Sequence, residues 1–201
     1  MSRPLTIKHH PETAMALVAM VIDGATPADG PRSELAQWKL VNPLADWIAI
    51  DMRSAPPGPE GAWLRRTLSE LIERRHMQFG QLVLLGRHNA GRIALNLILE
   101  GALACAGIVG VDIPCASPRT AIVPTTAGIR LVAHDGEQNR TNGANLIDAL
   151  RRSDIDTRIM MLPSVGLDGA EATVRAAGTF LFELVAKASS YATSQGRSRH
   201  V

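Results

Sequence analysis

Short apolar segments of strand length alternate along this chain with stretches whose apolar residues recur at helical spacing. The strand-like segments are 14–22, 46–52, 81–85, 106–111, 129–133 and 158–162, and the helical stretches are 33–44, 63–76, 90–100, 143–152 and 170–188. Because the strand-like runs are nearly continuous in apolar residues, the strands are expected to be buried on both faces, as in a parallel sheet. The alternation predicts an α/β fold with a mostly parallel sheet and helices on both faces.

The length and the absence of an interior linker in the sequence favour one domain. A chain of 201 residues is an ordinary size for a single hydrophobic core. The last residues, 189–201, are polar and offer little apolar surface to offset the entropy of ordering them. We therefore predict a domain over residues 1–188 and a flexible C-terminal tail over 189–201.

Charge and hydropathy exclude several classes of partner. The 21 basic and 19 acidic side chains give a net charge of +2, too balanced to attract a phosphate backbone, so no nucleic acid is expected. No apolar run reaches the roughly 18 residues that span a bilayer, and no export signal is evident at the N-terminus, so no membrane association is expected. Two cysteines without metal-ligand spacing are typical of a reducing compartment, which predicts a cytoplasmic protein.

One segment has the sequence of a strand followed by a sharp turn and a helix. The strand 81–85 ends at Gly86, and the turn continues as Gly86-Arg87-His88-Asn89-Ala90 before the helical spacing resumes. A nucleophile elbow needs small residues two positions before and two positions after the side chain it presents, because strand and helix meet there closely. Gly86 and Ala90 meet this requirement, and Gly91 adds room. The turn is therefore expected to present His88.

In this segment the chain resembles the α/β-hydrolase superfamily, in particular its small phospholipase/carboxylesterase and dienelactone-hydrolase branch. Residues 82–95 match the strand, the Gly-x-Ser-x-Gly turn and the following helix of that branch in pattern, and 106–111 and 129–134 resemble its next two strands. Val21-Ile22-Asp23-Gly24 falls where the family has the His-Gly turn that helps to form the oxyanion hole. The element order matches over residues 14–188, which implies a small-molecule ligand or substrate.

The same resemblance shows that the usual catalytic residues are replaced. A serine hydrolase needs an oxygen nucleophile, a histidine base and an orienting carboxylate. His88 occupies the serine position, and Leu167 occupies the histidine position. The acid position is open among Asp112, Asp135, Glu137 and Asn139. The resemblance therefore implies the scaffold of a carboxylesterase without an ordinary serine-esterase mechanism.

The ionisable residues that remain lie at strand ends, where open α/β sheets place their sites. Four of them form the candidate catalytic set, namely His88, Asp112, His134 and Asp135. These side chains include metal-ligand types, but their spacing does not require a metal, and none is predicted. The candidate ligand contacts are Asp23, Gly24, Asn89, Cys115 and Leu167. Cys115 follows Asp112 closely, although a free cysteine is more often a small buried apolar residue.

Two functional hypotheses follow from the sequence. The first is a catalytically degenerate α/β-hydrolase-fold protein, a pseudoenzyme, which binds a small molecule or a protein partner. The alternative is a non-classical esterase, lactonase or thioesterase that uses His88 with Asp112 or Asp135. No cofactor is expected, because the glycine clusters at 24–30 and 86–91 lack the spacing of nucleotide-binding loops. A homodimer is expected by analogy with relatives of this size.

Overall fold

The computed structural model describes residues 16–23, 30–114, 121–135, 137–163 and 169–197. Strands and helices alternate along the described chain, with two short 3-10 turns at Met52–Ser54 and Phe79–Gln81. The elements in order are β1 (Leu17–Ile22), α1 (Gly30–Val41), β2 (Asp46–Asp51), α2 (Glu60–Arg74), β3 (Leu82–Arg87), α3 (His88–Leu99), β4 (Gly107–Val111), β5 (Gly128–His134), α4 (Glu137–Arg152), β6 (Thr157–Leu162) and α5 (Gly169–Arg197).

The six described strands form one parallel sheet in the order β2-β1-β3-β4-β5-β6. The chain moves outward from β1 to one edge at β2, returns to the centre at β3, and then proceeds strand by strand to the other edge at β6. All strands point the same way, so their carboxyl ends share one edge of the sheet. The predicted α/β class, with a mostly parallel sheet in one domain, is confirmed.

Two apolar layers cover the faces of the sheet, and β1 shows how the sequence divides between them. Leu17, Ala19 and Val21 pack with residues of α2, α3 and α4, and Val18 and Met20 pack with residues of α1 and α5. This division follows from the two-residue period of a strand, which sends successive side chains to opposite faces. Helices on both faces explain why β1, β3 and β4 are almost entirely apolar.

The observed helices begin and end at different residues from those predicted. Helix α3 begins at His88 rather than at residue 90, because the turn residue itself starts the first helical turn. Helix α1 ends at Val41, before Pro43, and α4 begins six residues earlier than predicted, at Glu137. Helix α5 continues to Arg197, past the domain end predicted at residue 188. The division into a domain and a flexible tail stays a prediction. Among the described residues, no helix is long and apolar enough to cross a bilayer.

Candidate functional site

The turn between β3 and α3 has the close strand–helix contact of a nucleophile elbow. A Cβ atom on Gly86 would lie 2.5 Å from the Cα of Gly91, so a larger residue at 86 would force the strand and the helix apart. His88, at the apex, has a left-handed backbone with φ of 47° and an exposed side chain. Residues other than glycine seldom adopt this conformation, and it is found at strained functional turns. The structure therefore presents His88 as the sequence predicted.

Asp23 follows β1 and reaches the N-terminus of α3. Its Oδ2 accepts a hydrogen bond from the backbone N–H of Ala90 at 2.7 Å. The first N–H groups of a helix have no partner within the helix and carry a partial positive charge, so a carboxylate there is stabilising. Asp23 had been predicted as a ligand contact. In this structure it holds the start of the helix next to His88.

Asp112 and His134 form a pair at the ends of β4 and β5. His134 Nδ1 lies 2.9 Å from Asp112 Oδ1 and 3.0 Å from Oδ2, and the backbone N–H of His134 also donates to Oδ1 at 3.1 Å. A carboxylate can only accept, so the proton of this contact belongs to Nδ1. The two neighbouring strands thus bring together a carboxylate and an imidazole that lie 22 residues apart in the sequence.

The other ring nitrogen of His134 is next to Thr173 of α5. Thr173 Oγ1 lies 3.1 Å from Nε2, so the three side chains form a hydroxyl–imidazole–carboxylate array. The groups occur in the order of a catalytic triad. However, Thr173 belongs to a helix rather than to the elbow, and it is only 7% exposed. The array links the ends of β4 and β5 to the beginning of α5.

The structure brings together only part of the predicted catalytic set. Asp112 pairs with His134, whereas no hydrogen bond or ion pair joins His88 to a carboxylate within the described residues. The backbone N–H of Asp135 donates to Leu162 O at 2.7 Å, which links β5 to β6. A pairing of His88 with Asp112 or with Asp135, which the sequence left open, is therefore not among the hydrogen bonds of the described residues.

The predicted ligand contacts are only partly described. Asn89 Oδ1 accepts hydrogen bonds from Arg92 at 3.2 and 2.7 Å, which fixes the amide beside His88. Gly24, Cys115 and Leu167 lie outside the described residues, as do the side chains of Glu137 and Asn139. No group of three or more histidine, cysteine, aspartate or glutamate side chains is arranged to hold a metal ion in the part of the chain that is described.

Cys105, which precedes β4, has the properties of a packing residue. It is buried, forms no disulfide and donates to Gly107 O at 3.6 Å, and burial raises the pKa of its thiol to about 12. Because the thiolate is the nucleophilic form, a thiol with such a pKa is inert near neutral pH. Cys105 therefore contributes to the core and not to the site.

A buried arginine that no sequence motif identifies lies at the opposite end of the sheet. Arg130 of β5 is 1% exposed and donates to Asp156 Oδ2 at 2.8 Å and to Glu183 Oε1 at 2.6 Å. Burial opposes the charge of Arg130, but the hydrogen bonds to Glu183 and Asp156 outweigh it and raise its pKa. The same hydrogen bonds lower the pKa of Asp156 and of Glu183. A charged residue within an otherwise apolar strand was the only sequence signal for this cluster.

No protein-family model and no curated protein sequence matches the chain. Solved structures are similar to it in fold. YahD, solved with malic acid, aligns with a TM-score of 0.64 and 16% identity over 85% of this chain and 94% of YahD. A Bacillus cereus carboxylesterase aligns with a TM-score of 0.66 and 12% identity over 86% of this chain and 90% of the esterase.

A structure from a fungus gives the same result. Carboxyl esterase 2 of Tuber melanosporum aligns with a TM-score of 0.66 and 11% identity over 87% of this chain and 80% of the esterase. Together with the parallel sheet order and the elbow, these alignments establish that the chain has the α/β-hydrolase fold. The predicted resemblance is confirmed at the level of the fold. At such low identity the alignments carry no information about chemistry, which depends on the site.

Proposed function

We propose that this chain is a non-hydrolytic protein of α/β-hydrolase fold that binds a small molecule at the turn between β3 and α3. The observation that carries the proposal is the contact between the Asp23 carboxylate and the Ala90 N–H at 2.7 Å. In hydrolases of this fold, the backbone N–H of the residue after the nucleophile helps to stabilise the negatively charged oxygen of the intermediate. Here the corresponding residue is Asn89, immediately before Ala90.

The charge of Asp23 opposes such an intermediate. Two unit charges about 4 Å apart near a protein surface repel by roughly 4 kcal/mol. One oxyanion-hole donor contributes about 3–4 kcal/mol to catalysis. The exposed Asp23 carboxylate, which accepts from the neighbouring Ala90 N–H, therefore offsets part of what the Asn89 N–H would supply. A negatively charged transition state is disfavoured at this turn.

The proton-transfer groups also argue against hydrolysis. The Asp112–His134 pair directs Nε2 to Thr173, and Thr173 is nearly inaccessible to a substrate. The alternative enzyme, with His88 paired to Asp112 or Asp135, needs a carboxylate that orients His88. No such contact is present among the described residues, so the geometry favours the binding protein over the enzyme.

The proposed ligand contacts are the exposed His88, the amide of Asn89 and the carboxylate of Asp23. The proposal also includes Gly24, Cys115 and Leu167, which are ligand contacts predicted from the sequence. Imidazole, amide and carboxylate groups provide both hydrogen-bond donors and acceptors for a small polar molecule. A cytoplasmic location and the absence of a cofactor complete the proposal.

Ester turnover tests the non-hydrolytic part of the proposal. We expect the full chain to hydrolyse p-nitrophenyl acetate and butyrate at the rate of buffer and to remain unlabelled by a fluorophosphonate probe. His88→Ala is the test variant, and His76→Ala is its control, because His76 is also an exposed histidine with a left-handed backbone. Turnover that is lost in His88→Ala and kept in His76→Ala would establish the enzyme instead.

Native mass spectrometry tests the binding part. We expect a small molecule to be retained by the purified protein and by His76→Ala, and to be lost from His88→Ala. Malate, the acid found with YahD, is a direct probe of the charge argument. The wild type should bind malate weakly, and Asp23→Asn should bind it more tightly because the competing negative charge is gone. Equal affinities would show that Asp23 does not control the charge of the ligand.

A further inference from the structure

Strand β6 differs from the other strands in that none of its six residues is buried. It contains four consecutive large apolar residues, Ile159, Met160, Met161 and Leu162, and the side chain of Met161 is 41% exposed. The strands β1 and β4 are entirely buried. An exposed apolar edge strand is a template for pairing with another strand, and most soluble proteins protect such edges.

The opposite edge of the sheet is protected by charges. Strand β2 begins at Asp46, which forms an ion pair with Arg75, and ends at Asp51, which forms an ion pair with Arg53 at 2.6 Å. Strand β6 has one charged residue, Arg158, whose guanidinium already contacts Glu183 at 3.3 Å. Covering β6 would therefore bury no unpaired charge. The charged edge at β2 is suited to contact with water, whereas the apolar edge at β6 is suited to pairing with another strand.

The hydrogen bonds to β5 show which groups of β6 face outward. The carbonyls of Asp156 and Leu162 accept hydrogen bonds from Ile129 and Asp135, so these even-numbered positions face β5. The N–H and C=O of one strand residue point to the same side, and the side alternates along the strand. Thr157, Ile159 and Met161 therefore direct their backbone groups to the outer edge, where no hydrogen bond is present among the described residues.

We propose that β6 of a second copy of this chain binds to this edge, antiparallel, about a two-fold axis that lies midway between the two copies of Ile159. Residues directly opposite each other in an antiparallel pair point to the same face of the sheet. A two-fold axis normal to the sheet leaves each side chain on its own face, so the axis must lie at the centre of a pair formed by one residue and its own copy. With the axis at this position, residues whose backbone groups face outward lie opposite each other, and the assembly stops at two copies.

This register satisfies the exposed groups. Ile159 lies opposite its own copy, Thr157 lies opposite Met161, and Arg158 lies opposite Met160, so no like charges face each other. Each hydrogen-bonded pair of an antiparallel ladder exchanges two bonds, which gives about six main-chain hydrogen bonds in total. Two six-stranded sheets become one continuous sheet, and both apolar edges disappear.

The first test is the molecular mass in solution, measured by sedimentation equilibrium over a broad range of protein concentrations. We expect a dimer for the wild type and for Met161→Leu, which keeps the outward N–H. Met161→Pro should be monomeric, because it removes that N–H and leaves the bonds to β5 intact. Phe182→Ser is a control at an exposed apolar residue outside β6, since Phe182 of α5 is 61% exposed. It should remain dimeric.

Amide hydrogen exchange, followed residue by residue by NMR, tests the proposal in the wild type and does not depend on the folding of a variant. Arg158 and Met160, whose N–H groups face β5, should be protected at every concentration. Ile159 and Met161 should become protected only as the dimer forms. A monomer at all concentrations, whether its outer amides exchange rapidly or are covered by the chain itself, would overturn the proposal. So would a dimer that Phe182→Ser dissociates and Met161→Pro does not.

Discussion

Ionisable side chains lie at both ends of the parallel sheet, but their environments differ. At the amino end, Arg130 is fully buried, and its guanidinium is held by Asp156 and Glu183. At the carboxyl end, His88 is exposed at the elbow, and Asp112 and His134 are each partly exposed. A buried guanidinium held by two carboxylates makes the amino end a stabilising cluster. Exposure of polar groups makes the carboxyl end available to a ligand.

The backbone shows the same contrast. Four described residues other than glycine have positive φ angles, and two of them, His76 and Asp154, follow the ends of α2 and α4, where this conformation terminates a helix. The other two, His88 and Asp112, lie at carboxyl ends of strands. No helix end requires a left-handed residue there. Backbone strain without a structural reason is concentrated at the end that we propose to bind the ligand.

The largest effect is expected at the amino end, from Arg130→Met. Removing Arg130 breaks its charge-assisted hydrogen bonds to Asp156 and Glu183, and such bonds contribute about 1.5–3 kcal/mol. Because the two carboxylates are 53% and 37% exposed, water solvates them in the variant, and the loss stays within this range. Arg158→Met is the matched control, since the Arg158 side chain is 62% exposed and such pairs contribute less than about 1 kcal/mol. Urea denaturation measures both. Equal losses in the two variants would show that the Arg130 cluster is not a stabilising unit.

Acid should weaken the same cluster. Hydrogen bonds from Arg130 lower the pKa of Asp156 and of Glu183, whose ordinary values are 3.8 and 4.5. Groups with a lowered pKa in the folded state stabilise it at pH values above the ordinary pKa, and this stabilisation is lost as the pH falls through the lowered pKa. The difference in Tm between the wild type and Arg130→Met should therefore narrow from about pH 6 to pH 3. A constant difference would contradict the assignment of these two acids.

The contrast between the ends also explains what could be predicted from the sequence. The order of strands and helices was predictable because apolar runs of strand length and an apolar period of about 3.6 residues are local properties of the sequence. His88 was predictable because Gly86, Ala90 and Gly91 lie within a few residues of it. The partners of Arg130 lie 26 and 53 residues away, so no local pattern identifies them.

The pairing of Asp112 with His134 at the carboxyl end could not be predicted either, because it also depends on residues that are distant in the sequence. Asp112 and His134 were both candidates, but the sequence did not establish whether Asp112 would meet His134 or His88. Side chains on successive residues of a strand point to opposite faces, so a shift of one residue at a strand end changes the partner. Thr173 comes from the distant helix α5 and had no motif of its own.

A smaller effect is expected at the carboxyl end from Asp23→Ala. The carboxylate satisfies one N–H at the start of α3, and loss of such a cap costs about 1 kcal/mol. Asp23→Asn is the control, because its amide oxygen still accepts the hydrogen bond from Ala90. Thermal and urea denaturation should place Asp23→Asn between the wild type and Asp23→Ala. A loss as large as that of Arg130→Met would mean that the carboxyl end is also a main source of stability.

The smallest expected effect has the opposite sign. Glycine tolerates the φ of 47° at position 88, whereas other residues are strained there by about 1 kcal/mol, so His88→Gly should raise the free energy of unfolding by a few tenths to about 1 kcal/mol. His76→Gly, at a φ of 52°, is the matched control and should give a similar gain. Only His88→Gly should lose the retained small molecule in native mass spectrometry. If His88→Gly gains stability and loses binding, the strain at position 88 serves the ligand. If His76→Gly only gains stability, the strain at position 76 serves to end the helix.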